Sequence, residues 1–245
     1  MIRMQSWDEA KSGKRPRRHE NFEGFITDFI ETADSRSVVA QAYLVEQNPN
    51  WVTPSHFHLE HQFQVVTAGS GAIGRHAVQP LAVHYASPET GYGPITAGPE
   101  GVSYLTLRAI ADTGAWYLHN PGQRARMRRE SRKHQENAAP AKTLSAEELR
   151  SLAAASTEAL IAPQENGLAA HLVRLPPGET LTLPSMHPNG GRFYVATGGS
   201  MRAGGKDLRA LATVFASDDE AFPIVSGALG LEVLVLQFPR DAIQR

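Results

Sequence analysis

The run Pro54-Ser-His-Phe-His-Leu-Glu-His-Gln-Phe-Gln-Val-Val-Thr-Ala-Gly-Ser-Gly71 gathers most of the chain's chemistry-bearing residues into one short span. His56 and His58 are two residues apart, and on an extended strand positions i and i+2 project to one face. Two imidazoles therefore converge on one point. Gln62 and Gln64 share that parity when the chain turns and returns as a neighbouring strand, which adds an amide to the pair. Gly69-Ser70-Gly71 then closes the strand as turn chemistry does. The pattern reads as a metal pocket on β-structure.

Outward from this stretch the chain is β-rich. Val38 to Val45 reads as a strand, Asn48-Pro49-Asn50 as a turn, and Ile73–Val78, Leu81–Tyr85 and Val102–Ile110 as further short strands between Gly and Pro clusters. Many short strands with closely spaced turns point to a sandwich or barrel. Residues 1–22, with Lys14-Arg-Pro-Arg-Arg18, read as a solvated basic arm. Arg124 to Glu136 has no glycine and few apolar residues, and reads as an exposed connector or short helix. Ser145-Ala-Glu-Glu148 is a capping box, so a helix follows it with Leu149 and Leu152 on its apolar face.

The second half repeats the first. Pro54-Ser55 recurs as Pro184-Ser185, Phe63 as Phe193, Val65 as Val195, Thr67 as Thr197 and Ala86-Ser87 as Ala216-Ser217, at a constant offset of 130. Beyond one deletion the offset is 129: Pro94-Ile95 matches Pro223-Ile224, Gly98 matches Gly227, Gly101 matches Gly230, and Leu105 and Leu107 match Leu234 and Leu236. Two copies of one β-fold follow. At the positions of His56, His58 and Gln62 the second copy has Met186, Pro188 and Arg192, so the fold does not need those side chains. His187, one position out of register, reads as structural or surface.

The first stretch resembles the first motif of the cupin superfamily, His-x-His, three or four residues, Glu, six residues, Gly. Here it stands as His56-Phe-His58, Gln62 and Gly69, with an amide in place of the carboxylate. The family's second motif, built around Pro-x-Gly-x-x-His, resembles Pro88-Glu-Thr-Gly-Tyr-Gly-Pro94, where Tyr92 or Gly93 takes the place of the third histidine. The resemblance implies an all-β chain of two tandem jelly-roll barrels joined by a short helix. The bounds are 1–122 for the first barrel with the pocket, 123–156 for the basic linker and helix, and 157–245 for a degenerate second barrel. It also implies a divalent metal (Fe, Mn, Ni or Zn) held by His56, His58 and Gln62, and a homodimer.

Around this set, Tyr92 is the candidate hydrogen-bond donor or general acid, and Arg108, at period two with Tyr104 and Thr106, is the candidate clamp for a carboxylate. Glu60 has the parity of a ligand but falls in the turn, His61 faces away, and His76 and His84 are candidate lining residues. The other reading of His56 and His58 is a pair of barrel histidines bonded to each other, to water or to the glutamine amides.

At 245 residues and 41% hydrophobic content the chain can bury a core for one large or two ordinary β domains. Lys plus Arg (24) nearly balance Asp plus Glu (25), so no overall field draws nucleic acid or an anionic membrane. There is no cysteine, hence no disulfide, thiolate ligand or thiol nucleophile, which suits a reducing compartment. No apolar run approaches the roughly 20 residues that span a bilayer. The expectation is a cytoplasmic bicupin acting on a small organic, carboxylated or aromatic, molecule. Three readings stand open: a metal-dependent oxidoreductase of the dioxygenase type, a non-catalytic small-molecule binder, and a metal-free sugar-type isomerase or epimerase.

Overall fold

Strand-forming β-branched and aromatic residues place Gln62–Ile73 and Ile95–Arg108 side by side, antiparallel, as the central pair of a nine-stranded sheet. The computed structural model describes residues 1–245 except 129–132, 182–189, 218–222 and 244–245. Outward from the central pair the order on one side is Val83–Ala86 and Gln135–Ala138. On the other it is Gln41–Gln47, Phe22–Ile30 and Arg15–His19. His56–Phe57 leaves this sheet to pair with Trp116–Tyr117.

The same ladder recurs in the second half. There Arg192–Ala203 and Val225–Gln237 are the central pair, flanked by Thr213–Ala216 and by Ala169–Leu175 and Ser156–Ile161. The registers correspond residue for residue: Phe63 faces Leu107 as Phe193 faces Leu236, and Gln62 faces Arg108 as Arg192 faces Gln237. The 130-residue repeat of the sequence is thus a repeat of pairing. The all-β, two-barrel architecture is as expected.

Two compact units result, Lys11–Ala141 and Met1–Ala10 together with Lys142–Arg245. The first ten residues, read from the sequence with the first barrel, lie in the unit of the second. Ile2–Gln5 pairs with Thr213–Ala216, and in the other unit Gln135–Ala138 covers Val83–Ala86 in the same way. Each covers an edge strand, whose bare N–H and C=O groups would otherwise invite pairing with another chain. The basic segment is likewise ordered: Arg15–His19 pairs with Phe22–Ile30, so this part of the expected solvated arm is a strand. Such pairing runs through the backbone and needs no apolar side chains, so composition conceals it.

The two units differ inside. In the second, Val173, Tyr194, Val214, Val233 and Val235 belong to one buried apolar cluster. In the first, inward positions on the corresponding strands hold Gln62, Gln64, His84, Thr106 and Arg108, all buried. Gly69 shows why both copies keep glycine at the motif's end. It has φ +70° and a Cβ there would stand 2.2 Å from the Gly101 carbonyl oxygen; its counterpart Gly199 has φ +70° and would meet the Gly230 oxygen at 2.1 Å. The capping box is present: Ser145 and Glu148 close the start of the helix Ala146–Arg150, and Leu149 is its buried residue. The first unit also contains the short helix Pro121–Arg124 and ends at Ala141, so the stretch 123–156 expected as a linker divides between the two units; residues 129–132 lie outside the described ones.

Candidate functional site

His56 and His58 are 4% and 7% exposed, with ring centroids 5.4 Å apart at 88°. They do converge on one cavity. The His56 Nδ1–H donates to the Pro54 carbonyl (2.8 Å), which leaves Nε2 to accept from the Tyr92 hydroxyl (3.0 Å). The Tyr92 oxygen accepts in turn from Gln62 Nε2 (2.7 Å), and Gln62 Oε1 accepts from Arg108 Nη2 (2.5 Å). Each donor direction along this chain is fixed by the next: guanidinium, amide, phenol, imidazole, backbone carbonyl.

Arg108 is fully buried, the largest such side chain among the described residues. Its Nη1 donates to Gln41 Oε1 (2.5 Å), and the guanidinium lies 5.5 Å from the centre of the Tyr43 ring. Nη2 also stands 3.1 Å and 3.4 Å from His58 Nδ1 and Nε2. Asp112 Oδ2 lies 3.1 Å from His58 Nδ1 and accepts from the Leu59 N–H (2.9 Å), and Oδ1 accepts from the Thr113 N–H (2.7 Å). A carboxylate can only accept, so the imidazole proton sits on Nδ1, while Arg108 Nη2, nearly equidistant from the two ring nitrogens, lies against the ring and not in line with the Nε2 lone pair. The neutral ring bridges a buried cation to a buried anion.

The titration of these groups follows. Burial, then the neighbouring His58, lowers His56 to about 3. Burial, then the Arg108 charge, lowers His58 to about 4. Burial lowers His84 to about 4 and raises the Tyr92 hydroxyl far above its usual range. Burial alone would raise Asp112, but the hydrogen bonds from His58 and the Leu59 N–H and the neighbouring Arg108 guanidinium outweigh it and hold the carboxyl at about 2. At neutral pH the imidazoles are uncharged and Asp112 is ionised.

The cavity has a volume of about 100 Å³. Its wall includes His56, His58, Gln62, Gln64, Tyr92 and Tyr104, and no Asp or Glu among the described residues. The hydroxyls of Tyr43, Tyr117 and Thr106 add to it, and the half-buried Arg17 and exposed His19 lie where it meets solvent. Of the residues singled out in the sequence, His56, His58, Gln62 and Tyr92 therefore come together in the wall. Arg108 touches the same network from behind it. His84 supports Gln64 through Nδ1 (2.9 Å), with its ring 4.6 Å from Tyr92. Glu60 and His76 lie outside the cavity wall, and His61 turns to the Tyr85 hydroxyl (2.6 Å), as its parity implies. Met186, His187 and Pro188 lie outside the described residues.

Four participants went unread in the sequence: Asp112, Gln41, Arg17 and His19. Arg15, Arg17 and His19 alternate at period two, a strand signal hidden inside a charge run. Asp112 follows Arg108 in a loop, and no spacing rule points to it.

No protein-family model matches the chain, and no curated protein sequence does. Solved structures do. A Nostoc punctiforme protein provisionally named a dioxygenase superposes with a TM-score of 0.64 at 13% identity, over 98% of this chain and 83% of that one. The 11S globulin of Wrightia tinctoria, whose structure reveals an auxin binding site, gives 0.63 at 11% over 97% and 83%. Oxalate decarboxylase of Bacillus subtilis gives 0.58 at 16% over 97% and 77%. The chain has the two-barrel cupin fold, which these proteins share. Enzymes and seed globulins both carry it, so the fold does not choose between catalysis and binding.

His56 Nε2, His58 Nε2 and Gln62 Oε1 are the atoms that would hold a divalent metal. Two of them already accept from the protein, His56 Nε2 from the Tyr92 hydroxyl and Gln62 Oε1 from Arg108 Nη2, and the same Nη2 stands 3.4 Å from His58 Nε2. A cation on Gln62 Oε1 at the usual ~2 Å would stand within about 4.5 Å of Arg108 Nη2. Two positive charges against one at that distance repel by about 7 kcal/mol at an effective dielectric of about 20, a figure that the Asp112 carboxylate beyond His58 offsets in part. Among the described residues no three His, Cys, Asp or Glu side chains cluster as a metal set. The donor set does not fit a dication.

Proposed function

We propose that the first barrel binds a compact organic acid in the His56–Tyr92 cavity, without a resident metal. One observation carries this reading: a cavity lined by Tyr43, Gln64, Tyr104, Thr106 and Tyr117 and reached past Arg17, with hydroxyl and amide groups outside the His56–Tyr92–Gln62 chain and no carboxylate among the described residues. Such a wall complements an anion, since a carboxylate can accept several of those donors at once. The volume favours a small ligand: an enclosed cavity of about 150 Å³ holds benzene, so about 100 Å³ suits on the order of five heavy atoms within the wall, a two- to four-carbon carboxylate, with a larger acid reaching out past Arg17 and His19.

The test is thermal unfolding in EDTA against a panel of short carboxylates and their neutral amides. Saturation at about 100 Kd adds about 2.7 kcal/mol, a shift of roughly 5–10 °C for a unit of this size. Acids are expected to stabilise and amides not. No stabilisation by any acid, or stabilisation that EDTA abolishes, contradicts the proposal.

The site also favours proton transfer over oxygen chemistry. The His58–Asp112 pair has the form of a base held by a carboxylate, and the Tyr92 hydroxyl donates into the same wall, the parts of a metal-free isomerase. The dioxygenase reading needs a redox metal, and the hydrogen bonds on His56 Nε2 and Gln62 Oε1, with the Arg108 guanidinium beside His58, weigh against it.

A further inference from the structure

A buried arginine is an expensive group to keep, and among the described residues Arg108 has no carboxylate on its guanidinium: its partners there are Gln41, Gln62 and His58, all neutral. The second barrel shows that the ladder does not require it. At the corresponding cross-strand pair the two residue types are exchanged, with Gln237 on the strand of Arg108 and Arg192, only half-buried, on the strand of Gln62. An inward guanidinium at 108 is therefore a property of the polar centre, not of the fold.

We infer that Arg108 is a built-in cation that takes the electrostatic place of a metal ion in this barrel, while the Tyr92 hydroxyl takes its geometric place between His56 and Gln62. Three facts converge. The guanidinium is immobilised by Gln41, whose own Nε2 donates to the Thr32 carbonyl (2.7 Å), and by the Tyr43 ring. It donates to Gln62 and stands 3.4 Å from His58 Nε2, so two of the three would-be ligand atoms lie beside a positive charge. Tyr92, in the stretch that resembles the second motif, puts a hydroxyl on the third. Asp112 supplies the counter-charge through His58 and is itself tied to two backbone N–H groups, which leaves the centre neutral overall.

Mn(II) is the probe, read by electron paramagnetic resonance and thermal unfolding on the whole chain. The wild type is expected to leave the free-ion spectrum and its melting temperature unchanged. Arg108→Gln copies the residue of the second barrel at that position, and is expected to bind Mn(II) at least about ten-fold more tightly than the wild type, since the repelling charge is gone. His56→Ala added to it is expected to abolish the gain. Uptake of one Mn(II) per wild-type chain that His56→Ala removes overturns the inference. So does an Arg108→Gln protein that is folded, by circular dichroism, yet binds no better than the wild type. Where Arg108→Gln does not fold, the wild-type titration decides alone. The carboxylate panel in EDTA is read separately, so failure of one leaves the other standing.

Discussion

The two barrels share a ladder and differ in what fills it. Along the central pair, Tyr104, Thr106 and Arg108 of the first barrel become Val233, Val235 and Gln237 in the second, at unchanged register. Both interiors hold an apolar cluster, but in the first it adjoins a hydrogen-bonded chain and a cavity. Backbone pairing and the Gly69 and Gly199 bends suffice for the barrel, so the polar interior is retained at a cost in desolvation that the fold does not impose. That difference locates the working site.

Acid should separate the barrels most. His56, His58 and His84 are held at about 3, 4 and 4 in the folded state, against a usual value of 6.5. Folded values below unfolded ones mean that the unfolded chain binds more protons, so stability is full above 6.5 and falls as pH drops toward 4. At pH 5 each ring costs about 2 kcal/mol. The second barrel has one buried histidine of lowered pKa among the described residues, His171. Hydrogen exchange at pH 7 and pH 5 should show protection lost first in Gln62–Ile73 and later in Arg192–Ala203; equal loss breaks the comparison.

Truncating the exchanged pair comes next. Arg108→Ala leaves Asp112 buried without its cation and is expected to destabilise by about 3–5 kcal/mol, whereas Gln237→Ala should cost about 1–2 kcal/mol. Urea unfolding followed by exchange in each barrel checks the ratio. The bends should behave alike instead: Gly69→Ala and Gly199→Ala each force a Cβ against a backbone oxygen at positive φ, at about 3 kcal/mol. A large difference between these two would deny the shared scaffold. The smallest effect is a single hydroxyl. Tyr92→Phe strands His56 Nε2 and Gln62 Nε2 and is expected to cost about 1–2 kcal/mol, while Tyr194→Phe, in the apolar core of the second barrel, should stay within about 0.5 kcal/mol.

Much of this was legible in the sequence because period and repeat are local signals. The 130-residue offset reported pairing register, and the parity of His56, His58 and Gln62 reported a shared face. What stayed hidden was long-range. The strand Ile2–Gln5 finds its partner at Thr213–Ala216 through backbone groups alone. Arg108 could be placed inward by parity, yet its contact with Gln62 and its link through His58 to Asp112 join strands and a loop distant in the chain. That contact changes the reading of the ligand set from open to occupied, and no motif encodes it.

The most direct measurement is elemental analysis of the native protein, purified without chelator from medium supplemented with Fe, Mn, Ni and Zn, beside the His56→Ala/His58→Ala variant. Both are expected to carry less than about 0.1 metal ion per chain. About one ion per wild-type chain, absent from the variant, would contradict the central claim that Arg108 and Tyr92 already hold the place of a metal.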